Sequence, residues 1–170
     1  MFPVLVIAAL MAMERTHFGE PRKTLPSGLC SGQIITVANG IIGGRISVRE
    51  PTVLQRRQYG QKLNVTDVRR ASWGTVVVER GHRIRVRFGD GRERVYDGPG
   101  PKVLSVVWSP DGHFVAYTYK FGPLGLGTAC SDSYAVGILD LGTGTNYRLP
   151  RGPYDYFTVE MGERVEWLVE

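Results

Sequence analysis

The stretch Trp108-Ser109-Pro110-Asp111-Gly112-His113-Phe114-Val115-Ala116-Tyr117 decides the fold. Proline pre-sets the backbone angle inside a turn, aspartate caps the turn with its own side chain, and glycine takes the left-handed position. Apolar runs flank the turn, Val103 to Trp108 before it and His113 to Tyr119 after it. This pattern predicts an antiparallel hairpin.

The same grammar continues downstream. Ser133 to Asp140 is a strand pattern, Gly142-Thr143-Gly144 a turn, and Thr145 to Leu149 a further strand. Four short strands in succession predict one antiparallel meander over Val103 to Leu149. Upstream, Thr75-Val76-Val77-Val78 marks a strand over Gly74 to Glu79, and Gly81 a turn. Arg83 to Phe88 alternates strictly, with Ile84, Val86 and Phe88 on one face and Arg83, Arg85 and Arg87 on the other. Asp90-Gly91 signals a hairpin. A two-residue turn there predicts Val86 opposite Val95 and Arg87 opposite Arg94, whereas a three-residue turn would set Val86 against Arg94. Gln33 to Ala38 and Arg45 to Val48 flank the turn formers Asn39-Gly40 and Gly43-Gly44, predicting an N-terminal hairpin. Phe157 to Glu160 and Arg164 to Val169 around Met161-Gly162 predict a C-terminal one. No segment carries a strong helical stripe, and residues 52 to 63 fit neither pattern.

Trp108 to Tyr117 resembles the signature of TolB-type β-propeller repeats, shared with WD-like and prolyl-oligopeptidase-type propellers. Ile138-Leu139-Asp140, Gly142-Thr143-Gly144 and Arg148-Leu149 look like the closing hairpin of such a blade. The resemblance implies a structural role for Trp108, Ser109, Pro110, Asp111 and Gly112, and it implies architecture rather than function. A weaker copy is suggested over Val65 to Tyr96, with Trp73 and Asp90-Gly91 at comparable places. The expected fold is therefore all-β, built of antiparallel four-stranded meanders and propeller-like, with about two to three blades. Propellers typically need at least four blades. The expected ring is thus incomplete or completed by a homo-oligomer, and a small β-sandwich or barrel is the alternative. Pairing of the two terminal hairpins would make one shared blade.

The 170 residues suit one domain, expected over residues 33–170. Residues 1–13 are apolar, the length of a signal-peptide core and too short to span a bilayer, but no Lys or Arg precedes them. A signal segment would place the protein in the periplasm or outside the cell, whereas a core strand or short helix there would leave it cytoplasmic. Residues 14–32, punctuated by Pro21, Pro26, Gly28 and Gly32, are expected as a linker. Cys30 and Cys130 form a disulfide only in an oxidising compartment, and two unlinked thiols are the alternative.

The net charge of +5 is uneven. Residues 1 to 100 hold 16 Lys/Arg against 8 Asp/Glu (16 − 8 = +8), and residues 101 to 170 hold 5 against 8 (5 − 8 = −3). The chief candidate site is a row of arginines: Arg83, Arg85, Arg87, Arg92 and Arg94 share a face under the two-residue turn, with Tyr96 beside them. Five guanidinium groups in a row repel one another, so the face is expected to be exposed. Phosphate backbones or another polyanion would relieve the repulsion, with Tyr96 able to stack a base. A solvated face is the plainer alternative.

No catalytic constellation can be assembled around His17, His82 and His113, and neither a GxSxG elbow nor a phosphate-binding glycine loop is present. Gly122 to Gly127 has the wrong spacing for one. Asp132, Asp140 and Asp155 show no calcium-loop order, and neither a metal site nor a cofactor is expected. Asn64-Val65-Thr66 is a glycosylation sequon that matters only in a secreted eukaryotic protein. The expected function is a non-catalytic binding module with a protein partner, acting through loops such as Phe121 to Ser133 or a sheet edge. A basic domain binding nucleic acid or other anions is the alternative. Membrane association is not expected apart from residues 1–13.

Overall fold

The computed structural model describes residues 21–38, 41–55, 73–98, 102–121, 133–149 and 164–168. Residues 1–13, the sequon, Cys130, the 122–132 loop and the first strand of the C-terminal hairpin lie outside them.

Among the described residues the secondary structure is all β, with no helix. The expected meander is present as β8 (Lys102–Trp108), β9 (Phe114–Phe121), β10 (Ser133–Asp140) and β11 (Asn146–Arg148), paired antiparallel in that order. Its first turn follows the chemistry of its residues. Gly112 N–H donates to the Ser109 carbonyl at 3.1 Å, and Gly112 has φ 76°. Ser109 Oγ–H donates to Asp111 Oδ1 at 2.5 Å and accepts Phe114 N–H at 2.9 Å. One hydroxyl thus ties the turn to the strand that follows.

Residues 21–32 are not a linker in this structure. They carry β1 (Lys23–Thr24), which adds to the outer edge of the meander parallel to β11, and they contribute Leu25 and Cys30 to the core. Their Pro and Gly residues shape a coil that is packed down, which local punctuation alone does not distinguish from a free linker.

Two further sheets are present among the described residues. One has the order β12 (Arg164–Leu168), β2 (Gln33–Ala38), β3 (Ile41–Ser47), β4 (Thr52–Gln55), and the other β5 (Gly74–Glu79), β6 (Arg83–Phe88), β7 (Glu93–Asp97). The C-terminal strand β12 thus pairs antiparallel with the N-terminal strand β2, setting Trp167 opposite Ile34.

The meander is the middle layer. Successive strand residues point to opposite faces, so a strand buried on both sides must be apolar throughout. Phe114, Ala116, Val136 and Ile138 pack on one side against Ile34, Ile46, Val165 and Trp167 of the β12–β4 sheet and against Val48 just after β3. Val115, Tyr117, Tyr119 and Leu139 pack on the other against Ile84 and Val86. A bulge between Val103 and Ser105 brings Val103 onto the same face as Val106 and Trp108. Trp108 meets Phe88 edge-on, with ring centroids 5.8 Å apart.

Thr36 is buried, and its Oγ1 has no hydrogen-bond partner among the described residues. A buried hydroxyl without a partner costs free energy. Thr36→Val is therefore expected to raise stability by about 1 kcal/mol in urea unfolding. A loss of similar size would show that the hydroxyl is bonded in solution.

Candidate interaction face on the β5–β7 sheet

The register of the β6–β7 hairpin corrects the expected one. Val86 lies opposite Arg94, Arg85 opposite Val95, and Arg87 opposite Glu93. The connection is the three-residue one: Gly91 N–H donates to the Phe88 carbonyl at 3.0 Å, and Gly91, with φ 86°, takes the left-handed third position. A type I turn followed by a left-handed glycine is a standard three-residue hairpin loop. The cost of placing Arg94 beside Val86 is relieved at the rim, where Arg94 Nη1 donates to the Leu141 carbonyl at 3.4 Å.

This register divides the five arginines. Arg83, Arg85 and Arg87 share the outer face with Thr75, Val77 and Glu79 of β5 and Glu93, Val95 and Asp97 of β7. Arg92 and Arg94 belong to the other face. Arg92 lies over the Phe88 ring, 5.3 Å from its centroid, and pairs with Asp90 at 2.5 Å. Tyr96 is opposite Ile84, half-buried, and its hydroxyl donates to the Leu141 carbonyl at 2.8 Å, so Tyr96 anchors the sheet and is not beside the outer arginines.

The outer face is a balanced lattice of charge. Arg85 bonds Glu79 at 2.7 Å and also Glu93, Arg83 reaches Asp97 at 3.3 Å, and Arg87 reaches Glu93 at 3.7 Å. The two-residue register sets arginine opposite arginine and so hides the carboxylates Glu93 and Asp97 that face Arg87 and Arg83 across the strand pair. With the corrected register the alternation in Arg83 to Phe88 and the acids at Glu79, Glu93 and Asp97 become one pattern.

The hydrogen bond from Arg85 and its charge hold the Glu79 carboxyl below its ordinary value of 4.5, and the two glutamates raise the Arg85 guanidinium. A lowered carboxyl favours the folded state when ionised. Its contribution is complete above the ordinary value and is lost as pH falls through the lowered one. Glu79 is expected to titrate below its ordinary value by NMR and to return toward it in Arg85→Ala. An unchanged titration would mean that the pair is open in solution.

Two valines sit in the row of Arg85. Val77 and Val95 are 49% and 46% exposed, and with Trp73 they are the exposed large hydrophobic residues among those described. The row Val77–Arg85–Val95 is an apolar strip with a guanidinium at its centre, bounded by ion pairs on both sides.

Other candidates fall elsewhere. Trp108 is buried in the core beside its turn. Trp73 is not its counterpart: it precedes β5 and is exposed, whereas Trp108 ends β8. Cys30 is a buried free thiol whose pKa burial pushes up to about 12. Among the described residues no group of three His, Cys, Asp or Glu is placed to hold a metal ion, and no helix is long and apolar enough to cross a membrane. No protein-family model, curated protein or solved structure matches the chain.

Proposed function

We propose that this chain is a non-catalytic interaction module on a propeller-like scaffold, and that a protein partner docks on the outer face of β5–β7. The observation that carries the proposal is the exposed Val77–Arg85–Val95 row framed by ion pairs. An apolar centre with arginine, surrounded by a polar rim, has the composition of a protein interface. Stacked sheets, one of which pairs β2 with the distant β12, support the scaffold part of the proposal. In a propeller-like arrangement this face is where a further blade would pack, either from a second copy or from a different protein.

The competing partner is a polyanion, and the charge balance argues against it. Phosphates binding here would have to displace Glu79, Glu93 and Asp97 from the arginines. Retention on heparin in a salt gradient tests this directly. The triple variant Arg83, Arg85 and Arg87→Ala is compared with Lys23, Arg49 and Lys102→Ala, which removes the same charge from exposed positions elsewhere. Both are expected to elute at similar salt, because only net charge is being read. Selective loss of retention in the arginine triple would establish the anion-binding alternative.

A further inference from the structure

The β5–β7 sheet has three strands, where the other two have four and five, and its β7 edge carries no further strand among the described residues. The phase of the ladder shows which groups that edge presents. Phe88 N–H donates to the Arg92 carbonyl at 2.8 Å, and Gly98 N–H to the His82 carbonyl at 2.7 Å. In an antiparallel pair every second residue bonds across the ladder, so Arg94 and Tyr96 turn their peptide groups to β6, and Glu93, Val95 and Asp97 turn theirs outward. The Asp97 carbonyl accepts Asn146 Nδ2 at 3.2 Å. The N–H and C=O of Glu93 and Val95 and the N–H of Asp97 hold no partner among the described residues.

Other edges are shortened or covered. β1 is two residues long. β5 and β12 lie beside β8, and Val165 N–H of β12 donates to Ser105 Oγ at 3.1 Å. β7 has neither protection: no bulge breaks its register with β6, it contains no proline, and Glu93 and Val95 are exposed. An open edge pairs with another chain unless its side chains forbid it. Those of β7 select instead. On the outer face they run Glu93, Val95, Asp97, an acid on each side of a valine. A second copy of β7 paired antiparallel about Val95 would set Glu93 opposite Asp97 twice, like charge against like. A strand with basic residues at those places meets a carboxylate at each. β6 shows the fit from the other side, where Arg87 reaches Glu93 and Arg83 reaches Asp97. Both carboxylates stay open to a second cation, the Asp97 side chain being 85% and that of Glu93 34% exposed. At the centre no acid awaits a base, and an apolar residue would cover Val95.

We propose that β7 takes up an extended segment of a partner protein as the fourth strand of its sheet, with basic residues opposite Glu93 and Asp97 and an apolar residue between them opposite Val95. The outward N–H and C=O groups are matched by another extended backbone; main-chain bonds hold such a segment, and its alternate side chains decide which segment it is. The inference rests on the docking of a protein at the outer face of β5–β7, and it adds how the partner's chain is held and what sequence it carries there.

The test is NMR titration of the full chain with the end-capped peptide Thr-Arg-Thr-Val-Thr-Arg-Thr, followed at the backbone amide signals of Glu93, Val95 and Asp97. Saturable shifts of these amides are expected, and the same peptide with glutamate in place of arginine should bind about tenfold more weakly. Two N-methylated analogues, blocked at the alternate amides of one edge or of the other, separate strand addition from docking by side chains. One of them should lose about tenfold or more in affinity, and the other should keep it. Asp97→Lys, at an exposed side chain, should weaken the arginine peptide by about threefold or more, with the Val95 amide as the reporter. No saturable shift up to about 10 mM, equal binding of the two methylated analogues, or equal binding of the arginine and glutamate peptides would overturn the proposal. Any of these results together with a protein adduct crosslinked at Val77 would overturn strand addition alone and leave docking on the outer face standing.

Discussion

Trp167→Ala is expected to lower the stability of the protein by about 3 to 5 kcal/mol. Trp167 is 1% exposed and packs in the core between the middle sheet and the β12–β4 sheet. Its indole N–H donates to the Ser31 carbonyl at 3.2 Å, and its ring lies against Gly32, where a Cβ would come within 2.7 Å of Nε1. Truncation would remove the largest fully buried side chain among the described residues and leave the Ser31 carbonyl without its donor. Since small domains hold only about 5 to 15 kcal/mol in total, such a variant stands close to unfolding. Urea denaturation should show a much lower midpoint at an unchanged slope. A loss below about 1 kcal/mol would mean that β12 does not close the sheet as described.

Gly137→Ala is the second large effect. Gly137 lies opposite Tyr117 in the β9–β10 pair, and a Cβ there would meet Tyr117 Cζ at 2.3 Å and its hydroxyl oxygen at 2.4 Å. Tyr117 cannot swing clear easily, being fully buried and bonded to Asn146 Oδ1 at 3.0 Å. Overpacking of this kind costs about 1 to 3 kcal/mol, and more where the neighbour is fixed. The clash is specific to one pair, so it is expected to vanish in the background of Tyr117→Ala. A double-mutant cycle should give a coupling above about 1 kcal/mol, and additive losses would contradict the packing.

The meander was legible because its signals are local and agree with one another. Pro110, Asp111 and Gly112 specify a turn, and the strands on either side are apolar enough to be buried on both faces. The β6–β7 register was not legible. Asp90-Gly91 is compatible with either loop length, and pairing valine with valine favoured the shorter one. What decided for the longer loop lies far away in sequence: the Leu141 carbonyl receives Arg94 and Tyr96. Residues 21–32 were opaque for the same reason, since Leu25 and Cys30 acquire partners only when distant strands assemble. The arginine row was visible as a cluster, but its neutralisation depended on a register that the sequence alone left open.

A photo-crosslinking amino acid placed at Val77 tests the interaction face most directly. Installed in the full chain and irradiated in cells of the source organism, it is expected to yield a discrete adduct with a protein. The same residue placed at Thr143, on an exposed turn of the middle sheet, should yield none. An adduct of twice the chain mass would identify a second copy as the partner, and any other discrete mass a different protein. Absence of an adduct at both Val77 and Val95 would contradict the account.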